Sequence, residues 1–190
     1  MMRDASTRGA SAISRECTLA CVELAAVNAL GEREFVERFG GVFEHSPWVA
    51  QRAWSRRPFG SVDALHEAMM QVLAEAGKRE QLALVCAHPE LAGAETKQGA
   101  LTADSSSEQG RLGLLQLTRE EFQGMARLNR RYRERHGFPC IVALRLHATR
   151  ESVLAEMVRR TEEDSGTEFR NALEQIGQIT RGRLGKLLNG

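Results

Sequence analysis

The sequence has little that would tie it to a metal, a nucleotide, a nucleic acid or a membrane. Its cysteines, Cys17, Cys21, Cys86 and Cys140, form no Cys-x-x-Cys pair, and a chain of 190 residues does not need disulfides to be stable. A reducing compartment is expected. Cys17 and Cys21 lie four apart on one helical face without an organised His or carboxylate partner, so small core residues are expected there rather than metal ligands. His45, His66, His136 and His147 show no His-x-x-x-His spacing, and neither Gly-x-x-x-x-Gly-Lys nor Gly-x-Gly-x-x-Gly occurs. A Gly-x-Ser-x-Gly nucleophile elbow is also missing. Lys and Arg total 26 against 25 Asp and Glu, a net charge of +1, so the basic face demanded by nucleic acid is not expected. No run approaches the roughly 20 apolar residues that span a bilayer. Residues 1–12 carry arginines without a leader's apolar stretch, and the last three residues are not Ser-Lys-Leu. A cytoplasmic protein with a disordered start over residues 1–14 is expected.

Only four prolines occur, at 47, 58, 89 and 139, and the stretches between them carry helical rather than alternating periodicity. The expectation is an all-α protein: one compact domain over residues 15–190, of seven or eight helices with extended loop segments around a site. Ser61 is a candidate N-cap for a stripe of Val62, Leu65, Met69, Val72, Leu73 and Ala76, with Gly77 in the position of a terminating glycine. Thr118-Arg119-Glu120-Glu121 fits a capping box, followed by Phe122, Met125, Leu128 and Tyr132 and ended by Gly137. A further helix is expected from Thr149 through Val153, Leu154, Met157 and Val158. Another runs from about Thr167 through Phe169, Leu173, Ile176 and Leu184, with Gly166 separating the two. Ser46-Pro47 opens a helix carrying Trp48 and Trp54, preceded by one through Leu24, Val27 and Leu30. Two segments break the pattern. Residues 91–107 are rich in Gly, Ala, Ser and Thr, and residues 138–146 form a short apolar run in which Pro139 opposes helix.

His88 follows the apolar run 82–87 and precedes Pro89, which disfavours helical geometry at the histidine and places it at a helix end. An imidazole there can exchange protons with a bound molecule, or it can simply cap the last carbonyls of the helix; position alone favours the cap. Ser105-Ser106-Ser107-Glu108 forms a capping box ahead of Leu112, Leu115 and Leu117, and the amides of that helix start could also face an anion, with Ser105, Glu108 and Gln109 lining it. The arginines from Arg127 to Arg135 are interleaved with Glu134 and suit a solvated face. Arg181 and Arg183 could each hold a carboxylate or ureido oxygen through two donors, or form surface ion pairs.

Taken in order, Phe43-Glu44-His45-Ser46-Pro47-Trp48, His88-Pro89-Glu90-Leu91-Ala92-Gly93, Ser105-x-x-Glu108-Gln109, Leu128-Asn129-x-x-Tyr132 and Gly137-Phe138-Pro139 resemble the OHCU decarboxylase family. The resemblance implies an all-helical homodimer that removes CO2 from 2-oxo-4-hydroxy-4-carboxy-5-ureidoimidazoline to give (S)-allantoin in urate degradation. No cofactor or metal is implied. It makes His88 the catalytic histidine and Glu108 its accompanying carboxylate. Pro89, Ser105, Gln109, the run Cys140, Ile141, Val142 and Leu144, and an arginine of the last helix then contact substrate; Arg183 is the choice over Arg181. The family usually has a second aromatic where this chain has Cys140.

On this reading the substrate's own carbon–nitrogen double bond accepts the electron pair left by CO2. His88 moves the proton, and Glu108 orients the imidazole and stabilises its charged form. Two rival readings are a non-catalytic helical binding relative and a lyase or hydrolase acting on another ureido compound.

Overall fold

The structure, a computed structural model, describes residues 24–93 and 101–189. The expected frayed start and the Cys17–Cys21 pair lie outside the described residues. Among those described there is no strand. Residues 24–29 are helical, and eight α-helices follow: α1 Glu32–Phe39, α2 Trp48–Trp54, α3 Val62–Glu75, α4 Lys78–Cys86, α5 Ala103–Arg111, α6 Arg119–His136, α7 Arg150–Thr161 and α8 Ser165–Asn189. One 3-10 turn, Leu144–Leu146, lies between α6 and α7. The all-α expectation holds.

Local chemistry explains the boundaries. Ser61 accepts from the Ala64 amide at 3.0 Å to start α3, and Thr149 does the same for Ser152 at 3.2 Å to start α7. At α6 the capping box closes both ways: Glu121 N–H donates to Thr118 Oγ1, and Thr118 N–H donates to Glu121 Oε2. Gly137 ends α6 at φ +82°, a left-handed conformation that glycine adopts without steric cost.

Four expectations are corrected. Gly77 does not terminate α3. It sits at φ −62°, ψ 151° and opens α4, with Glu80 reaching back to its amide. Gly166 lies inside the first turn of α8 and separates nothing; Asp164 caps that helix through the amides of Gly166 and Thr167. Ser105–Glu108 is not a capping box, because Thr102 is the N-cap and accepts from the Ser105 amide. The helix therefore occupies residues expected to be loop, and Leu112, Leu115 and Leu117 follow it rather than ride on it. Finally, Val158 faces solvent, while Arg160 and Thr161 take the buried side of α7.

The core is one continuous apolar cluster built on Phe35, Phe39, Leu65, Met69, Tyr132, Met157 and Ile176. The 25-residue α8 runs through it, packing against α3, α4 and α6. Beside α8, residues 138–143 pass as a buried segment outside any helix, with the Ala143 amide bonded to Gln175. That segment, α5 and the end of α4 enclose a pocket.

Candidate active site

The pocket is a narrow cleft open to solvent, and its walls include His88, Pro89, Ser105, Glu108, Gln109, Cys140, Ile141, Val142, Leu144 and Arg183. Every candidate site residue named above thus borders one space. Leu91 and Ile179 complete the lining. Arg181 is elsewhere, on the surface beside Asp63.

His88 is placed by the end of α4. The helix stops at Ala87, and the chain's turn into Pro89 folds the imidazole back so that Nδ1 lies 3.0 Å from the Leu84 carbonyl. A carbonyl only accepts, so Nδ1 carries the proton and Nε2 is left with its lone pair. Nε2 is buried and has no hydrogen-bond partner. The cap reading holds for Nδ1, which bonds a terminal carbonyl, and it leaves Nε2 unengaged. Burial disfavours the imidazolium and lowers the His88 pKa to about 4; the Leu84 carbonyl and the Glu44 charge only partly oppose that. The orientation expected from Glu108 comes instead from the main chain.

Glu108 is held by Arg183. The Arg183 Nε donates to Oε1 and Nη2 to Oε2, both at 3.0 Å. On its other side, Arg183 Nη1 donates to Glu44 Oε2 at 2.7 Å and Nη2 to Ser105 Oγ at 3.1 Å. Four of the five guanidinium hydrogens are thereby engaged. Arg183 is 3% exposed and remains protonated: burial works against its charge, but the two carboxylates outweigh it and raise its pKa. It lines the pocket as the organiser of two acidic side chains, with little left for a two-pronged grip on a ligand.

Glu44 is the site residue that the sequence reasoning did not select, although its motif was noted. It is 2% exposed and accepts from Thr102 Oγ1 at 2.6 Å, Ser105 Oγ at 3.0 Å and Arg183. Burial alone would raise its pKa, but the Thr102 hydrogen bond and the Arg183 charge prevail and hold it below the ordinary carboxylate range. The sequence signal was a charged residue inside Val42-Phe43-Glu44, next to aromatic core.

Ser105, Glu108 and Gln109 share one face of α5 through their i, i+3, i+4 spacing. Ser105 lies in the first turn with its amide already taken by Thr102, and Glu108 and Gln109 lie a turn further on. Gln109 Oε1 accepts from the Ala92 amide at 2.9 Å, and Asn129 Nδ2 donates to the Leu91 carbonyl at 2.9 Å. These bonds hold the turn after His88, where Ala92 sits at φ +48°, a conformation side chains other than glycine seldom adopt. Among the described residues the other non-glycine with positive φ is His45, at +47°, beside Glu44. Both strained positions lie in segments that build the pocket.

Cys140 is buried, which pushes its thiol up to about 12 and keeps it protonated. Where a second aromatic is usual, this chain presents a small apolar wall. Among the described residues no group of three or more His, Cys, Asp or Glu is placed to hold a metal ion.

The comparisons with known proteins agree with this geometry. Residues 28–185 match the OHCU decarboxylase family. The chain is 42% identical over 158 residues to a 2-oxo-4-hydroxy-4-carboxy-5-ureidoimidazoline decarboxylase of Haloferax volcanii, covering 83% of this chain and 91% of the relative. It is 35% identical over 167 residues to the mouse (Mus musculus) protein of the same name, covering 88% and 93%. A crystal structure of (S)-allantoin synthase superposes with a TM-score of 0.66 at 28% identity, covering 86% of this chain and 53% of that one. The all-helical frame, the ordered motifs and the extent of the match lead to one assignment: the chain belongs to the OHCU decarboxylase family.

Proposed function

We propose that this chain is a carboxy-lyase that converts 2-oxo-4-hydroxy-4-carboxy-5-ureidoimidazoline to (S)-allantoin in urate degradation. The observation that carries the reading is the free, buried Nε2 of neutral His88, in a pocket whose other polar side chains are mutually engaged. Decarboxylation needs no external electron acceptor here. The pair from the breaking carbon–carboxylate bond forms a ring carbon–carbon double bond, and the electrons of the substrate's carbon–nitrogen double bond move onto nitrogen, which takes a proton. The resulting enol then loses its hydroxyl proton and gains one at the neighbouring ring carbon. His88 Nε2 is the group that accepts and returns that proton. Delivery from one wall of the pocket yields one enantiomer.

Glu108, held in place by Arg183, accepts hydrogen bonds from ureido N–H groups. Pro89 and Cys140 bound the ring by shape. Fixed donors and acceptors of this kind act by orienting the substrate before bond breaking. The chain is further proposed to work in the cytoplasm as a homodimer. None of the described helices is long and apolar enough to cross a membrane, and sedimentation at micromolar concentration tests the pairing.

The direct test mixes purified protein with freshly generated urate-oxidation product and follows the optical activity of allantoin. Formation of the S enantiomer faster than the spontaneous, racemic reaction is expected. No acceleration would leave a binding relative as the better reading, and acceleration of a different ureido reaction would leave another lyase or hydrolase.

A further inference from the structure

The wall made by residues 138–144 belongs to no helix up to its final turn, yet Cys140, Ile141, Val142, Ala143 and Leu144 are all buried. Side chains from behind supply its main-chain bonding. Arg160 Nη1 of α7 donates to the Ile141 carbonyl at 2.5 Å. The Ala143 amide donates to Gln175 Oε1 of α8 at 2.7 Å. Arg111 of α5 donates to the Leu144 carbonyl.

Behind Ile141 lies a closed polar cluster. Arg160 Nε donates to Glu168 Oε1 at 2.9 Å, and Nη2 reaches the same carboxylate. The Tyr132 hydroxyl also donates to Glu168, and Asn171 Nδ2 donates to its other oxygen at 3.1 Å. Arg160, Glu168 and Tyr132 are at most 1% exposed, and none of them lines the pocket. A buried ion pair is a poor route to stability, since an apolar pair of similar volume often does as well. Its bond to a pocket-wall carbonyl suggests another use.

We infer that the Arg160–Glu168 pair, braced by Tyr132 and aided by Gln175, is a positioning device. It holds residues 140–144 in place as the wall of the pocket. The effect on KM rests on the decarboxylase reading, whereas the positioning rests on geometry alone.

The test is an Arg160→Met, Glu168→Met double variant of the full chain, with Glu168→Gln and Tyr132→Phe as single variants. Three quantities are measured: melting temperature, hydrogen exchange at the Ala143 amide, and KM separately from kcat. Gln175 is untouched, so the Ala143 amide keeps its own acceptor and reports only on the register of the wall. Removing one main-chain anchor should speed exchange at Ala143 by about tenfold relative to core amides of α3, and should raise KM by about tenfold with a smaller change in kcat. The melting temperature of the double variant should stay near that of the parent. A folded double variant with unchanged exchange and unchanged KM overturns the inference. If the double variant does not fold, unchanged exchange and KM in both single variants overturn it equally. Absence of turnover in the parent protein would count against the decarboxylase reading, and the exchange result would then decide the positioning by itself.

Discussion

At the scale of the residue, the chemistry turns on which nitrogen of His88 is free and how strongly burial resists its charge. The active species is the neutral imidazole, and its pKa is lowered from 6.5 to about 4. The base form is therefore present above that value and is lost as pH falls through it. The acidic limb of kcat/KM should lie near pH 4, with a plateau through pH 6 to 8. A limb near 6.5 would mean that the imidazole is solvated and the buried geometry is wrong. Replacing His88 with Asn removes the proton carrier and should lower kcat by about 10² to 10⁴, with the helical circular dichroism unchanged. Loss of Glu44 acts differently. In Glu44→Gln the Arg183 guanidinium keeps only one of its two carboxylates in a buried place, and breaking such a pair costs about 3–5 kcal/mol. That variant should lose stability as well as activity, and urea unfolding separates it from His88→Asn. The sequence made His88 legible as a helix-end histidine, but the Leu84 bond that assigns its nitrogens depends on a folded-back rotamer that no spacing reveals. Glu44 was harder still, because its partners lie 58, 61 and 139 residues away.

At the scale of the element, helix ends divide into those that only hold the fold and those that also hold the site. Thr118 caps α6 at an exposed position, so Thr118→Ala should cost about 1 kcal/mol, a drop of roughly 2–4 °C in melting temperature, and leave kcat/KM unchanged. Thr102 caps α5 but also donates its hydroxyl hydrogen to Glu44 at 2.6 Å. Thr102→Ala should show a similar thermal loss together with a measurable fall in kcat/KM. Equal effects of the two on activity would deny Thr102 any part in the site. The contrast also shows what pattern reading resolves. Where a cap is followed by an apolar stripe, as at Ser61, Thr118 and Thr149, the helix was legible. Helix α5 was not, because its residues Ala103–Arg111 contain almost no apolar stripe and its buried face is Ser105 and Gln109. Periodicity detects apolar burial, and this helix buries polar groups because it faces a pocket. Gly77 and Gly166 misled for a related reason. Glycine marks a boundary without saying on which side of it the helix lies.

At the scale of the whole molecule, the buried ionisable groups make folding itself sensitive to acid. His88 binds its proton less readily folded than unfolded, so its contribution is complete above the unfolded value of 6.5 and is lost as pH falls toward about 4. A gap of this size is worth ~3 kcal/mol, spread over that window at ~1.4 kcal/mol per pH unit. Glu44, whose folded pKa lies below the ordinary glutamate value of 4.5, contributes in the same direction but at lower pH. Its stabilisation is present above that value and fades as pH drops through the depressed one. The two steps are therefore separable. Urea unfolding free energies measured from pH 7.5 down to about 3.5 should fall as pH falls in the parent protein. In His88→Gln, which cannot take up a proton, the decline between pH 6.5 and 4.5 should be shallower by roughly 1 kcal/mol per unit, while the loss below pH 4.5 persists. The same slope in both proteins would show that His88 titrates alike folded and unfolded, and with that the desolvated, neutral imidazole on which the proposed proton transfer depends would be gone.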